Sequence, residues 1–329
     1  MMQAVIMAGG KGTRLATLTK DEIPKPMVPV AGKPLLLWQV ERLKENGITD
    51  IIMVIGHLGD KIREYFGDGE KFGVSIRYFE ETEPLGTAGS FYYLKDMIHG
   101  ERFVMMSGDL FFDIDFQRMI HFHEEKGAVA TLFVHPNGHP FDSDLLVLDH
   151  DDKITAFDSK HNVRDYWYEN CVNAGIFVFE KKICDYVPEP VKRNLENDVI
   201  KGMLETGEPI YGYCSPEYVK DVGTVDRVNQ TDIERGVIAG KCLKNKQRCI
   251  FMDRDGTINQ YKGLVYKEKD FTLEDCAIDA IRKINQSGRL GIVITNQPVV
   301  ARGLCEIEDV ENIHKKMETL LGKEGVFLD

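Results

Sequence analysis

The chain of 329 residues is long enough for two domains, and apolar residues at 43% can fill sizeable cores. A formal net charge of −12 disfavours nonspecific binding to nucleic acid or an anionic membrane, so anionic substrates must be gripped by local basic groups. No apolar run reaches membrane-spanning length and no charged leader precedes the first strand, which together predict a cytoplasmic protein. Seven cysteines, an odd count without C-x-x-C spacing, read as reduced and mostly buried thiols, with neither a zinc site nor a disulfide framework.

The first apolar run, Ala4 to Met7, reads as a buried strand. It leads into Ala8-Gly9-Gly10-Lys11-Gly12-Thr13-Arg14-Leu15, and Pro24-Lys25-Pro26-Met27 follows. Glycines here let backbone amides approach a polyanion, while Arg14 offers a fork for two oxygens and Lys25 a point charge. The pattern predicts a triphosphate cradle over residues 8–14, with Arg14 and Lys25 catalytic. It lacks the Walker ending and the G-x-G-x-x-G spacing. In its Gly-Thr-Arg-Leu and Pro-Lys-Pro-Met wording it resembles the signature of the sugar nucleotidyltransferases, and Val28-Pro29-Val30-Ala31-Gly32-Lys33-Pro34 continues the likeness.

Helical patterns at Leu35 to Glu45, Lys61 to Phe66 and Ala88 to Met97 alternate with apolar runs at Ile51 to Ile55, Val74 to Phe79 and Phe103 to Met106. This alternation predicts an α/β, Rossmann-like domain with a mostly parallel mixed sheet and ligands at the strands' carboxyl ends. The glycine loop, Glu80-Glu81 and Ser107-Gly108-Asp109 would share that rim. Glu83-Pro84-Leu85-Gly86-Thr87-Ala88-Gly89 reads as a turn capping a helix through Thr87. It also resembles the base-reading loop of guanylyl-transferring members. That resemblance implies nucleotide contacts at Gly86, Thr87 and Ala88, with Glu81 or Glu83 accepting from guanine and GTP as the nucleotide.

Asp109 ends a hydrophobic strand, and Tyr218-Val219-Lys220-Asp221-Val222-Gly223-Thr224 supplies a second carboxylate in a similar setting. The resemblance implies that Asp109 and Asp221 hold Mg²⁺, whose octahedral demand suits two carboxylates with phosphates and waters, and that Asp109 also meets the nucleotide. Between them, strands are expected at Ala128 to Val134, Asp144 to Leu148 and Val172 to Phe179. Cys171-Val172-Asn173-Ala174-Gly175-Ile176-Phe177 resembles the family's sugar-facing Asn-Ala-Gly strand, which implies acceptor contacts at Asn173 and Gly175. Phe157-Asp158-Ser159-Lys160 stands where many members have Glu-Lys-Pro, making Asp158 and Lys160 acceptor candidates. Glu196, within Asn194-Leu195-Glu196-Asn197-Asp198, is either a sugar ligand or part of an acid-rich helix start. His121 and His123, two apart on a helix-like stretch, read as surface residues, and the aromatic run Phe91-Tyr92-Tyr93 as core or interface packing.

A helix from Thr224 to Ala239 is expected to close a domain over residues 1–239, with a lysine-rich, solvated linker at 240–248. Residues 249–329 then begin Cys249-Ile250-Phe251-Met252-Asp253-Arg254-Asp255-Gly256-Thr257-Ile258-Asn259. With Val293-Ile294-Thr295-Asn296-Gln297 and Ala301-Arg302-Gly303, this resembles two motifs of the haloacid dehalogenase-like phosphatases, in wording most like heptose 1,7-bisphosphatase. The resemblance implies Asp253 as nucleophile, Asp255 as acid, both near Mg²⁺, and Thr295 and Asn296 on the phosphoryl oxygens. The chain reaches Asp329 without the later lysine or distal acidic pair of that family, so an incomplete domain without useful phosphatase activity is expected.

The activity implied for the first segment is transfer of a nucleotidyl group from GTP to a sugar 1-phosphate, releasing pyrophosphate. Pairing with a heptose-bisphosphatase-like segment favours D-glycero-D-manno-heptose 1-phosphate and a GDP-heptose product for surface glycans. Mannose 1-phosphate is the alternative acceptor, and a catalytically silent nucleotide-sugar-binding subunit the alternative class. No nucleic-acid or membrane partner is expected, and a homo-oligomer is compatible with the sequence.

Overall fold

The computed structural model describes residues 2–10, 19, 22–228 and 240–329. Its strands are β1 (Gln3–Met7), β2 (Pro29–Val30), β3 (Lys33–Pro34), β4 (Asp50–Ile55), β5 (Ser75–Glu80), β6 (Arg102–Ser107), β7 (Leu110–Asp113), β8 (Ala130–His135), β9 (Leu145–Leu148), β10 (Ile154–Asp158), β11 (Val172–Glu180), β12 (Ile210–Cys214), β13 (Tyr218–Asp221), β14 (Cys249–Met252) and β15 (Leu290–Val293). The α-helices are α1 (Leu35–Glu45), α2 (Gly59–Phe66), α3 (Phe91–Met97), α4 (Phe116–Glu125), α5 (Lys201–Glu205), α6 (Val225–Val228), α7 (Ala277–Gln286) and α8 (Ile307–Lys323).

Nine strands form one mixed α/β sheet in the order β10-β9-β11-β6-β1-β4-β5, with β8 joining β11 to β12. β6, β1, β4 and β5 run parallel, so their carboxyl ends share one edge. The unbroken Ala4-Val5-Ile6 and Ile51 to Ile55 runs are buried on both faces, as a parallel sheet covered by helices requires. One apolar cluster joins Ile6 and Met53 to Leu36, Val40 and Phe66. The other joins Val5, Val54 and Phe103 to Phe91, Leu94 and Met203. β11 is antiparallel to both β6 and β8, and its register slips between Asn173 and Phe177. Such a bulge bends the strand and strengthens its local twist.

Residues 249–329 build a separate core in which Ile281 of α7 and Ile313, Met317 and Leu321 of α8 pack against Met252 and Val293. Their sheet is the parallel pair β14 and β15, registered Met252 to Val293. α8 docks this part onto the first. Thr319 Oγ1 accepts from Tyr168 N at 2.9 Å and donates to Tyr168 O at 3.0 Å, and Glu318 Oε2 accepts from Asn170 N at 2.6 Å. No helix among the described residues is long and apolar enough to cross a membrane.

Four expectations change. His123 is not a surface residue: it is 1% exposed, with Nδ1 2.8 Å from Thr131 Oγ1, because α4 turns that position onto β8. Burial pushes its imidazole down to about 4. Thr87 does not cap α3, which starts at Phe91; its hydroxyl accepts from Leu195 N at 2.7 Å instead. The segment 240–248 is no freely solvated linker, since Cys242 is buried, Leu243 N donates to Glu217 and Lys244 Nζ to Asn46 Oδ1. Of the seven free cysteines only Cys184 and Cys242 are buried, the others sitting at strand ends and turns.

Candidate active site

The rim is assembled by close backbone approaches. Ala8 N donates to Val54 O at 2.7 Å and Gly108 N to Met7 O at 2.9 Å, pulling the loops after β1 and β6 together. A side chain at Gly108 would meet Met7 O at 2.9 Å and the Ala8 Cα at 3.1 Å, so only glycine lets the next residue sit against the first loop. Gln39 of α1 fixes the turn from behind, donating to Ser107 O at 3.0 Å and Leu110 O at 2.6 Å. Asp109 is thereby held at the strand end with its carboxylate accepting from Ser107 Oγ at 2.5 Å and from the Lys25 ammonium. Burial works against that carboxylate. The charge and hydrogen bond of Lys25 and the Ser107 hydroxyl outweigh it, leaving the acid below its usual range.

Lys25 reaches this point from a single 3-10 turn, Lys25–Met27, which Pro26 starts and Trp38, donating to Val30 O, backs from α1. Glu81 lies behind the glycines: a Cβ on Gly9 would fall 2.8 Å from its Oε2. Its other oxygen is buried without a hydrogen-bond partner among the described residues, and burial raises its acid. A carboxyl in this state has capacity left for a donor from outside the protein. Gly86, at φ +77°, forms a bridge to Arg193, and Ala88 N donates to Arg193 O at 3.1 Å. The expected base loop is thus strapped to residues 193–195, a link that local sequence spacing does not reveal. Lys11, Gly12, Thr13 and Arg14 lie outside the described residues, while Ala8, Gly9 and Gly10 continue β1 to the rim.

Asp221 comes beside Asp109 through the antiparallel pair β7 and β13, where Asp221 faces Leu110 and Val222 N donates to Asp109 O at 2.9 Å. Its Oδ2 accepts from Arg227 at 2.7 Å, and its Oδ1 is buried with no hydrogen-bond partner among the described residues. The backbone therefore brings both expected metal ligands together, each already facing a cationic side chain.

Beyond β6, Asn173 occupies the β11 bulge, and its Oδ1 accepts from Gly175 N at 3.2 Å; Gly175 is at φ +74°. Asn173 N donates to Asp144 O, and Asp144 Oδ1 accepts from Lys160 N at 2.9 Å. The Lys160 ammonium is 3.8 Å from Asp144 Oδ2. Glu196 is raised by burial and by Asp144, with Lys160 opposing. Asn173, Lys160 and Glu196 thus converge on Asp144, which sequence reasoning missed because it sits in a turn-like Asp-Ser-Asp string. Asp158 does not join them. Its oxygens accept from Arg164 Nε at 2.6 Å, Tyr166 at 2.9 Å and Asn162 at 2.9 Å, and Arg164 also ties down Pro140 O and Ser143 O. A buried carboxylate needs such a cation, and here the pair clamps the loop.

In the C-terminal part, Asp253 and Thr295 follow the parallel strands β14 and β15 at the same end, where Ile294 N donates to Met252 O. Arg254, fully buried, holds both oxygens of Asp255 at 3.0 and 3.1 Å. Gln297 and Asn259 add bonds of 2.7 and 3.0 Å to Asp255. Thr295 Oγ1 accepts from Gln297, and Asn296 is exposed. Burial raises the Asp255 acid, but these donors prevail and hold it below its ordinary value.

Comparison with known proteins bears on residues 3–232, which match the family described as Nucleotidyl transferase. UTP–glucose-1-phosphate uridylyltransferase of Synechocystis sp. is 32% identical over 75% of this chain and 66% of its own length. Mannose-1-phosphate guanylyltransferase of Mycobacterium tuberculosis is 31% identical over 74% and 67%. The chain therefore spans about two thirds of the length of these curated relatives. Among solved structures, HddC from Yersinia pseudotuberculosis is similar with a TM-score of 0.60 and 26% identity, covering 69% of this chain and 96% of that one. The same protein complexed with GMP-PN is similar with a TM-score of 0.60 at 25% identity. The match over residues 3–232, on a parallel sheet whose strand ends share one rim, places this chain in the nucleotidyl transferase family.

Proposed function

We propose that the chain transfers a guanylyl group from GTP to a sugar 1-phosphate, D-glycero-D-manno-heptose 1-phosphate foremost, releasing pyrophosphate and forming a GDP-sugar for surface glycans. The observation that carries this reading is the Lys25–Asp109 pair at the rim, with Ala8 packed against Gly108 beside it and Glu81, one oxygen unpaired among the described residues, behind Gly9. The attacking phosphate oxygen is already ionised near neutral pH, so no general base is needed. The obstacle is repulsion between two polyanions brought into line. Lys25, Arg14 and the loop amides offset it, and the rigid turn behind Asp109 holds the charges in place beforehand.

Asp109 and Asp221 would hold a divalent cation such as Mg²⁺. Their hard oxygens, and an Asp221 Oδ1 without a hydrogen-bond partner among the described residues, fit one. When bound, such an ion neutralises phosphate charge as a Lewis acid. Glu81, placed under the glycine loop, would accept from the guanine donors that a pyrimidine lacks. Guanylyltransferase relatives and the GMP-PN complex of HddC support guanine. The uridylyltransferase relative makes UTP the nucleotide to test against it. Heptose follows from the phosphatase-like wording of residues 253–303. Mannose 1-phosphate is the second reading, favoured by guanylyltransferase relatives such as that of Mycobacterium tuberculosis and a probable one of Oryza sativa.

The proposed segments are 1–239 for transfer, 240–248 as connector and 249–329 as the first part of a haloacid dehalogenase-like unit. Residues 249–329 should release no phosphate at a useful rate. Protonating a leaving alcohol needs a protonated carboxyl, and Asp255 is held ionised by Arg254, Asn259 and Gln297. The test is pyrophosphate release from GTP, ATP, CTP, UTP and dTTP against heptose, mannose and glucose 1-phosphates. GTP with the heptose ester should be fastest. A preference for UTP or dTTP refutes the guanine assignment, and no release with any pair leaves a regulatory nucleotide-sugar-binding subunit.

A further inference from the structure

A cavity of about 1040 Å³ has walls from both parts of the chain. One wall carries Asp221, Asn173 and Lys160; the other carries Lys241, Gln286 and Asp329. The volume is at the upper end of small-ligand sites, roughly 300–1000 Å³, so it has room for more than a bare hexose phosphate. The second wall is not a passive lid. Lys241 has no hydrogen bond or ion pair among the described residues, its stem lies against Gly288, and it acts electrostatically on the part-buried Asp329 carboxyl. The Gln286 side chain, in the last turn of α7, likewise has no hydrogen-bond partner among the described residues. Arg282 on the same wall is already engaged, donating to Asp279 and to Glu324 O. The docking is specific: Thr319 and Glu318 bond the Tyr168–Asn170 backbone, and Gly322 lies so close to Pro140 that it has no room for a side chain.

We propose that this cavity is the acceptor site and that Lys241 and Gln286 bind acceptor hydroxyl or anionic groups from the second wall, which makes the C-terminal part a specificity element of the transfer reaction. The inference rests on the reading of the first part as a sugar-1-phosphate nucleotidyltransferase. A polyol phosphate suits a lining whose donors include the ammonium groups of Lys160 and Lys241 and the amides of Asn173 and Gln286, with Asp144 and Asp329 as acceptors.

The experiment is steady-state kinetics of the full chain with GTP and the best sugar 1-phosphate. Lys241→Met should raise the acceptor KM about tenfold, the scale of one lost charge-assisted hydrogen bond, and Gln286→Ala about threefold. The KM for GTP and kcat should stay within about twofold, and Lys241→Arg should restore most of the loss. Unchanged acceptor KM in both variants overturns the inference. So does an equal rise in the KM for GTP, which would signal general distortion. If Lys241→Met lowers the melting temperature, the exposed Gln286 decides. If wild type turns over no pair, the transferase reading fails by itself. Calorimetric titration of mannose 1-phosphate then decides the site: binding weakened in Lys241→Met supports it, and equal or absent binding in wild type and variant overturns it.

Discussion

The parallel pairs β1–β4 and β14–β15 are built from similar apolar strings and end in similarly placed aspartate-bearing or glycine-rich turns, yet they differ in burial. Val5 and Ile52 are wholly covered, whereas Ile250 is 37% and Phe251 61% exposed. The first pair is flanked by β6 and β5 and packed by helices on both faces. The second is packed by α7 and α8 through Met252 and Val293, leaving Phe251 and Ile294 bare. An apolar run thus reports that a strand will form. Whether its surface is buried depends on neighbours that the run does not encode.

The largest effect expected from this contrast is on stability. Phe103→Ala, which opens a hole between Phe91 and Phe179, should cost about 3–5 kcal/mol in urea unfolding. Phe251→Ser should change stability by less than about 0.5 kcal/mol and reduce any self-association. A cost for Phe251→Ser comparable to that for Phe103→Ala would mean that the exposed face is covered in solution. The next effect separates the two parts by chemistry. Lys25→Ala and Asp109→Asn should each slow pyrophosphate release by about 10²–10³-fold, as for other preorganised charge contacts. Asp253→Asn should leave that rate within about twofold, and a loss matching that of Asp109→Asn would break the division of labour.

Much of the nucleotide half was legible because its signals are local. The Ala4 to Met7 and Ile51 to Ile55 runs mark covered strands, and α1 spans Leu35 to Glu45 as its apolar spacing predicts. The Asp109–Asp221 neighbourhood was legible only through resemblance, since the two positions that β7 and β13 bring together stand 112 apart in the sequence. Where a side chain's role depended on a partner outside its own helix, strand or turn, sequence reasoning failed, whether that partner stood six residues away or 108. His123 went to the core because β8 lies against α4, Asp158 went to Arg164, and Thr87 went to Leu195. Asp144, at the junction of Asn173 and Lys160, carried a signal only in retrospect, as an acidic residue opening a strand beside the Asn-Ala-Gly bulge.

The smallest effect tests the seam between the two parts. Glu318 of α8 accepts from Asn170 N and faces Glu169 and Lys315, and burial pushes its carboxyl up to about 7. Because the folded acid holds its proton more tightly than the unfolded one, whose ordinary value is near 4.5, the folded state is favoured at low pH. That advantage is lost as pH rises through the window from about 4.5 to about 7, and above it the buried charge opposes docking in full. At about 1.4 kcal/mol per pH unit of displacement, the difference between pH 5 and pH 8 is of order 1–3 kcal/mol. Glu318→Gln keeps a carbonyl oxygen for Asn170 N and removes the titration. Other groups titrate in the same range, so the quantity to read is variant minus wild type. Glu318→Gln should match wild type at pH 5 and be more stable at pH 8, with Lys315→Met lowering wild type further at pH 8 by removing the nearby positive charge. Parallel stability profiles for wild type and Glu318→Gln would show that α8 is not held against the Tyr168–Asn170 segment in the way its hydrogen bonds imply.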